Sequence, residues 1–417
     1  MKLADLVRAP MYVLGLLFAI NLVNYVDRQV LFALLPLIKT DLSLSDARLG
    51  LLASAFMVVY MCAAPLVAYR ADRGGSRTTW ISAGIALWSA ATFLSGFARN
   101  YAQLFVARAS VGVGESGYGA VSPAFVAEHF PKERRGGVLA VFSTAIPVGS
   151  ALGYILGGWI GYRYGWRAAF FVVGIPGFIL AVLARFLKDP RAAAAEGGSP
   201  SPAPGLREYL GLYRTRSYVA ATLAMTTMTF SLGGLAVWMP TFFNRYWGLN
   251  VEQAGVLFGG LTVVAGLLGS LTGGWIGDRL LRRTGKAYFL VSGVGLLLAV
   301  PFGAAAIVSG SWGLTLGTLF AAETLAFLNM GPLNGVIVSV TAAPIRSMAF
   351  AANIFVIHAL GDALSPAVIG AISDAAGLRL GLLFAMSFMG LSGLICMWGA
   401  RHVEADGLSA EEVCPHE

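Results

Sequence analysis

Charge is scarce in this chain of 417 residues: Asp, Glu, Lys and Arg together supply 12% of it, while 57% is hydrophobic and the mean hydropathy is +0.73. Such a composition excludes a soluble globular domain, in which about a quarter of the residues are charged. Cysteine is nearly absent. Cys62, Cys396 and Cys414 are odd in number and two of them sit inside apolar segments, so neither a disulfide framework nor redox chemistry is expected. No strand-like alternation of apolar and polar residues supports a membrane barrel. A paired nucleophile and base, a metal-ligand cluster and a phosphate-binding loop are all missing, so an enzyme finds no support. No cofactor, metal or nucleic-acid partner is expected.

What is abundant is apolar runs of about 20 residues, each long enough to cross about 30 Å of hydrocarbon as a helix. Twelve spans fit, near residues 11–38, 48–69, 78–98, 101–128, 136–161, 166–187, 217–243, 252–277, 286–309, 313–340, 347–372 and 379–400. Between the sixth and seventh, residues 188–216 contain Ala-Ala-Ala-Ala-Glu196-Gly-Gly-Ser-Pro-Ser-Pro-Ala-Pro, a linker composition, and a short interfacial helix is expected over Leu206–Tyr213. The expected organisation is a six-helix bundle over 1–187, a linker over 188–216, a second six-helix bundle over 217–402 and a tail over 403–417. Lys2 and Arg8 precede the first apolar run as in a signal peptide. That run continues past Asn24 without a small-residue cleavage site, so it is read as a retained span. Most Lys and Arg, including Arg70, Arg73, Arg77, Arg134, Arg135, Arg279, Arg282 and Arg283, fall on the side of the termini. The positive-inside rule therefore puts both termini in the cytoplasm.

The halves repeat. Gly-Gly-Trp-Ile-Gly occurs at 157–161 and at 273–277, Asp72-Arg73 and Asp278-Arg279 follow the second and eighth spans, and the eleventh ends in Gly370-Ala-Ile-Ser-Asp374. Repeats nested in this way are the organisation of the major facilitator fold, so an all-α integral membrane protein with that fold and twelve transmembrane helices is predicted. Gly149, Gly153, Gly157 and Gly161 form one bare stripe in the fifth span, and Gly266, Gly269, Gly273 and Gly277 form another in the eighth. The two helices that carry them are expected to touch across the boundary between halves and to slide or rock there; the alternative is that the glycines merely pack within one half.

An ionised side chain near a bilayer centre costs roughly 3 kcal/mol, so intramembrane charges mark cavities or pairs. The first span holds Asn21, Asn24, Asp27 and Arg28; the fourth holds Arg108 and Glu115, nearly two turns apart on one face and about 10 Å apart along the axis. Counted from their opposite membrane surfaces, Asp27 and Arg108 reach similar depths, which makes an ion pair feasible. Two arginines in one cavity suit a phosphate or carboxylate headgroup, and a carboxylate that exchanges an arginine partner for a proton is a simple coupling device. A static buried network joining two helices is the alternative. The second half offers Glu323 and Asn329 in the tenth span and His358 and Asp362, one turn apart, in the eleventh. Elsewhere it is apolar, as a cavity wall for an amphiphile would be.

The loop Asp72-Arg-Gly-Gly75-Ser-Arg77 resembles the signature loop of the major facilitator superfamily, with Ala68 standing where that motif usually has glycine. The resemblance implies gating roles for Asp72, Arg73 and Arg77, and for Asp278 and Arg279 in the second copy. More narrowly, several blocks resemble the spinster family of lysolipid and sphingolipid transporters. They are Asn24-Tyr-Val-Asp-Arg28, Val111-Gly-Val-Gly-Glu-Ser-Gly-Tyr118, Ala145-Ile-Pro-Val-Gly-Ser-Ala-Leu-Gly-Tyr154, Ala322-Glu-Thr-Leu325 and His358-Ala-Leu-Gly-Asp-Ala-Leu-Ser-Pro366. This resemblance implies a carrier of sphingosine-1-phosphate or lysophospholipids, with Asp27, Arg28, Arg108, Glu115 and Glu323 in the cavity and proton dependence centred on Asp27. Taken with the residue pattern, the expected substrate residues are Asn24, Arg28, Arg108, Glu115, Tyr118 and Glu323, the proton-coupling residues are Asp27 and Glu115, and His358 and Asp362 form a second polar site. The compact chain suits a monomer in a bacterial inner membrane. A proton symporter for a small organic anion and a ligand-sensing receptor remain the competing readings.

Overall fold

The computed structural model describes residues 10–73, 76–119, 121–131, 134–189, 211–341 and 345–406, and within them the side chains at 68, 69, 71–73, 123, 124, 127, 135, 136, 140 and 347 are left undescribed. Most of the linker with its expected interfacial helix, the tail from 407, and the side chains of Ala68, Asp72 and Arg73 therefore lie outside the described residues.

Among the described residues every regular element is helical. In the first half these are α1 (Pro10–Leu42), α2 (Asp46–Arg73), α3 (Arg77–Ser95), α4 (Tyr101–Gly119), α5 (Ser122–Glu128), α6 (Arg135–Ser143), α7 (Ala145–Tyr164) and α8 (Trp166–Arg185). The second half follows with α9 (Arg216–Trp247), α10 (Val251–Leu281), α11 (Ala287–Val308), α12 (Trp312–Phe327), α13 (Pro332–Ser339), α14 (Arg346–Ile357), α15 (Ser365–Ala376) and α16 (Leu378–Gly399). Ten helical segments are long and apolar enough to cross a membrane. The expected third and fourth spans are helical as α3 and α4 but fall short of that hydropathy. Arg77, three threonines and three serines dilute α3, while Arg108, Glu115 and four glycines dilute α4.

Several spans are interrupted helices. The fifth changes helix at Thr144 and the tenth breaks over 328–331 before Pro332. The eleventh widens into a π-helical turn over His358–Asp362 ahead of Pro366. Such interruptions free backbone groups inside a membrane and are tolerated where protein or a polar cavity re-satisfies them.

The chain divides into two compact units, Met1–Pro200 with Val237–Gly260, and Ser201–Ala236 with Leu261–Glu417, the division falling inside α9 and α10. In the first unit α1 packs along α7, and α3 lies between α4 and α8. In the second, α11 packs on α12 and α16. Lipid tails are as apolar as leucine, so these contacts depend on close van der Waals approach rather than on a hydrophobic driving force.

Glycine supplies that approach, but not from one stripe to the other. A Cβ on Gly149 would lie 2.6 Å from the Leu22 carbonyl oxygen, and one on Gly153 2.7 Å from that of Val26, so the fifth-span stripe packs on α1. Gly269 and Gly273 instead face Thr324 and Leu328 on α12 and its C-terminal break. Where α7 does meet α10, within the first unit, it uses Gly158, which lies off the four-residue stripe, against Val251 and Glu252. Gly255 and Gly259 of α10 rest there on Tyr154 and Ala151. A step of four residues names one helix face; it does not name the neighbour.

Gly153→Val is expected to lower stability by about 1–3 kcal/mol through overpacking against α1. Gly274→Ala, where nothing lies within 4 Å of the new methyl, should leave the thermal unfolding of purified protein unchanged.

Candidate functional site

The intramembrane charges of the first unit assemble into two ion pairs that share two helices. Asp27 and Arg28 are neighbours on α1 and diverge by about 100° around it, so they reach different partners. Asp27, 1% exposed, accepts from Arg108 Nη1 of α4 at 3.0 Å and from the Thr92 hydroxyl of α3. The Arg108 guanidinium, also 1% exposed, lies 5.8 Å from the centre of the Phe170 ring of α8. Arg28 donates through Nε at 2.8 Å and Nη2 at 2.5 Å to Glu115 Oε2 of α4. Three rings, Tyr25, Phe56 and Tyr60, surround the Arg28 guanidinium with centroids at 5.0, 4.6 and 5.7 Å. Aromatic faces offer it the partial negative charge that water would otherwise provide.

The pairs differ in access. The Arg28 side chain is 19% exposed, whereas those of Asp27, Arg108 and Glu115 are at most 2% exposed. Arg28 is thus the one cation of the four that a ligand can approach without first opening the helix bundle. Beside it the buried side chain of Asn24 faces the Glu115 carboxylate, which places an amide between α1 and α4 next to the accessible cation.

Tyr118 takes a different part from the one expected of it. It is 3% exposed, donates to the Leu17 carbonyl at 2.8 Å and stands edge-on to Trp88, a clamp between α4, α1 and α3. In the second unit Glu323 of α12 accepts from Thr262 of α10 at 3.3 Å and its Oε2 is buried without a partner. Asn329 is buried in the break after α12. His358 Nδ1 lies 2.9 Å from Asp362 Oδ1 across the π-helical turn, each side chain partly exposed.

At the end of the first unit near residue 77, Arg77 is 3% exposed and doubly bidentate. It meets Glu128 of α5 at 3.1 and 2.6 Å and Asp189, just past α8, at 3.1 and 2.5 Å, above the Phe125 ring. The second copy of this loop is built otherwise: Asp278 accepts from the Tyr288 hydroxyl at 2.9 Å and Arg279 stacks on Trp275. At the opposite end of the first unit Asp46, 2% exposed at the start of α2, accepts from Lys39 and from both Nη atoms of Arg245, each at 2.5 Å. Sequence reasoning missed Thr92, Glu128, Asp189, Asp46, Thr262 and the aromatic ring set. Nothing local singles out Glu128 and Asp189, since Asp72, Glu133, Asp278 and Glu404 also stand near helix ends on this side. Among the described residues no cluster of His, Cys, Asp and Glu could hold a metal ion.

With this geometry in view, comparison with known proteins is informative. The family model of the Major Facilitator Superfamily matches residues 17–366. The Drosophila melanogaster protein spinster is 33% identical over 387 residues, covering 90% of this chain; the chain spans only 64% of that longer protein. The sphingosine-1-phosphate transporter SPNS2 of Xenopus tropicalis is 34% identical over 383 residues, covering 88% of this chain and 74% of its own. Among solved structures, a bacterial homologue of the human lysosomal transporter spinster, crystallised inward-facing and unoccupied, superposes with a TM-score of 0.85 at 22% identity, covering 97% of this chain and 99% of that one. Fold, span pattern and sequence agree: the chain belongs to the spinster family of the major facilitator superfamily, and it is a multi-pass membrane transporter rather than an enzyme.

Proposed function

We propose that this transporter carries an anionic amphiphile, a lysophospholipid or sphingosine-1-phosphate-like lipid, by proton-coupled alternating access, with Arg28 as the headgroup ligand. The observation that carries this reading is the asymmetry of the two ion pairs: Arg28 is reachable and ringed by aromatics, and its counter-ion Glu115 is sealed. A phosphate offers Arg28 a stronger bidentate acceptor than one carboxylate oxygen. Glu115, deprived of its cation inside the membrane, is then most stable with a proton. Headgroup and proton enter together, and neither leaves alone without stranding a buried charge.

Asp27 with Arg108 is the second member of the same exchange, reached after the first pair opens. Asn24 orients the headgroup, Glu323 and the His358–Asp362 pair provide the polar groups of the second half, and Tyr118 holds the helices that present them. Arg77, with Asp72 and Arg73, and Asp278 with Arg279 gate the cytoplasmic side. The similarity to a curated sphingosine-1-phosphate transporter supports a lipid substrate. The protein works as a monomer in a bacterial inner membrane with both termini in the cytoplasm, and it needs no cofactor besides the coupling proton.

The test is flux of labelled lysophospholipid or sphingosine-1-phosphate in proteoliposomes with and without a pH gradient. Wild type responds to the gradient. Arg28→Ala should lose at least about tenfold in flux, equivalent to about 1.4 kcal/mol, and Glu115→Gln should retain lipid binding while losing the gradient response. Transport of a small organic anion and of no lipid would replace this reading with a symporter, and binding without flux would replace it with a receptor.

Asp27→Asn separates a working charge from a static one. Leaving Arg108 buried and uncompensated should cost about 3–5 kcal/mol if the pair is structural only, and restoring neutrality with Asp27→Asn/Arg108→Gln should then recover both stability and transport. Recovery of stability without recovery of gradient-driven flux is the outcome expected here.

Arg77→Ala should lower transport several-fold while raising the reactivity of an engineered cysteine near Glu128 towards a membrane-impermeant reagent added from the cytoplasmic side.

A further inference from the structure

A concave groove of about 760 Å³ runs between α3 and α4 on the membrane-facing side of the first unit, away from the ion pairs. Its origin lies in how these two helices pack. At one end they touch backbone to backbone, where a Cβ on Gly84 would stand 2.6 Å from the Gly114 carbonyl oxygen and one on Gly114 2.5 Å from Trp88 N. Beyond Leu87 that glycine contact stops and alanines take over, with Ala91 and Ala107 forming the floor and the exposed Leu94 and Val106 rising as walls. The groove follows α3 from residue 87 to its end at Ser95, about 12 Å of helix, and continues over the turn to Arg99, so that it approaches the depth of one hydrocarbon leaflet, about 15 Å. Its volume is that of a well-formed small-molecule site.

At the mouth, where α3 turns into α4, stands Arg99. Its side chain is exposed and its guanidinium has no hydrogen-bond or ion-pair partner among the described residues, although its backbone N–H donates to Gln103 Oε1 at 2.8 Å. A second cation lies close by, since Arg167 donates to the carbonyl of Ala98, a lining residue, while pairing with Asp41. An apolar slot nearly one leaflet deep, capped at the headgroup level by an unpaired arginine, has the charge and length of an acyl chain attached to a phosphate.

We propose that this groove is a binding site for an anionic glycerophospholipid of the bilayer, one acyl chain lying between Leu94 and Val106 and the phosphate at Arg99. The site is separate from the substrate path: none of Asp27, Thr92 and Arg108 lines it, and Thr92 and Arg108, each next to a floor residue, are turned about 100° from it towards Asp27. Net negative charge is specified because a zwitterionic headgroup would set its own ammonium against the cations.

The experiment uses the full chain in nanodiscs of phosphatidylcholine containing a minor fraction of phosphatidylglycerol with a diazirine in one acyl chain, with cross-links mapped by peptide mass spectrometry. Labelling is expected to concentrate between residues 87 and 110. Arg99→Gln should lower it about fivefold, the scale of one basic side chain at an anionic membrane surface. Ala90→Phe, which fills the slot and leaves Arg99 in place, should lower it at least as far, and neither variant should change thermal unfolding. Even labelling of all lipid-facing helices, indifferent to both substitutions, would overturn the proposal, as would equal labelling by the same diazirine lipid with a choline headgroup. A dimer in native mass spectrometry that Ala90→Phe abolishes would assign the groove to a second copy of the chain instead.

Discussion

Two unlike charges side by side on one helix, Asp27 and Arg28, organise the first unit. Because consecutive residues on a helix point about 100° apart, they cannot neutralise each other through a shared contact and each must find a counter-charge elsewhere. Both find it on α4, at Arg108 and Glu115. The four groups sum to zero, which is what allows them to sit among apolar helices, where an unpaired charge would cost several kcal/mol. The supporting contacts serve the same balance: Thr92 donates to the remaining oxygen of Asp27, and aromatic faces surround the part of Arg28 that Glu115 leaves uncovered.

The second unit answers with few charges and more backbone irregularity. Glu323 has a threonine rather than a cation as its neighbour, and His358 and Asp362 face each other because a wider helical turn brings them together.

Much of this was legible in the sequence, for reasons that differ residue by residue. The spans were readable to within a few residues because hydropathy is a local property, and Asp27 with Arg108 was readable because depth along a helix can be counted. Their interruptions were harder to see: Pro147, Pro332 and Pro366 mark the breaks, but proline is also tolerated within unbroken membrane helices such as α1 and α8. The partners of Arg77 lie 51 and 112 residues away, and no periodicity reaches that far. Tyr118 shows a different limit, since a motif that contains a residue does not say whether it touches a ligand or holds the helix that does. The glycine stripes were half informative: the fifth and eighth spans do meet, but through Gly158, Gly255 and Gly259 rather than through the stripes themselves.

The actual neighbour of the fifth-span stripe has a mechanical meaning. Gly153 and Gly157 sit on Val26 and Val30, the residues that bracket Asp27 and Arg28 on α1. With side chains on the α1 side only, the layer between the two backbones is thin, so α1 and α7 are expected to move together as one stiff beam with the charges near its middle. On its other face the same α7 bears Gly158 against Val251 and Glu252 at the start of α10. A change of partner at Arg28 that shifts α1 by a fraction of an ångström is therefore delivered, with little damping, to a joint several turns away.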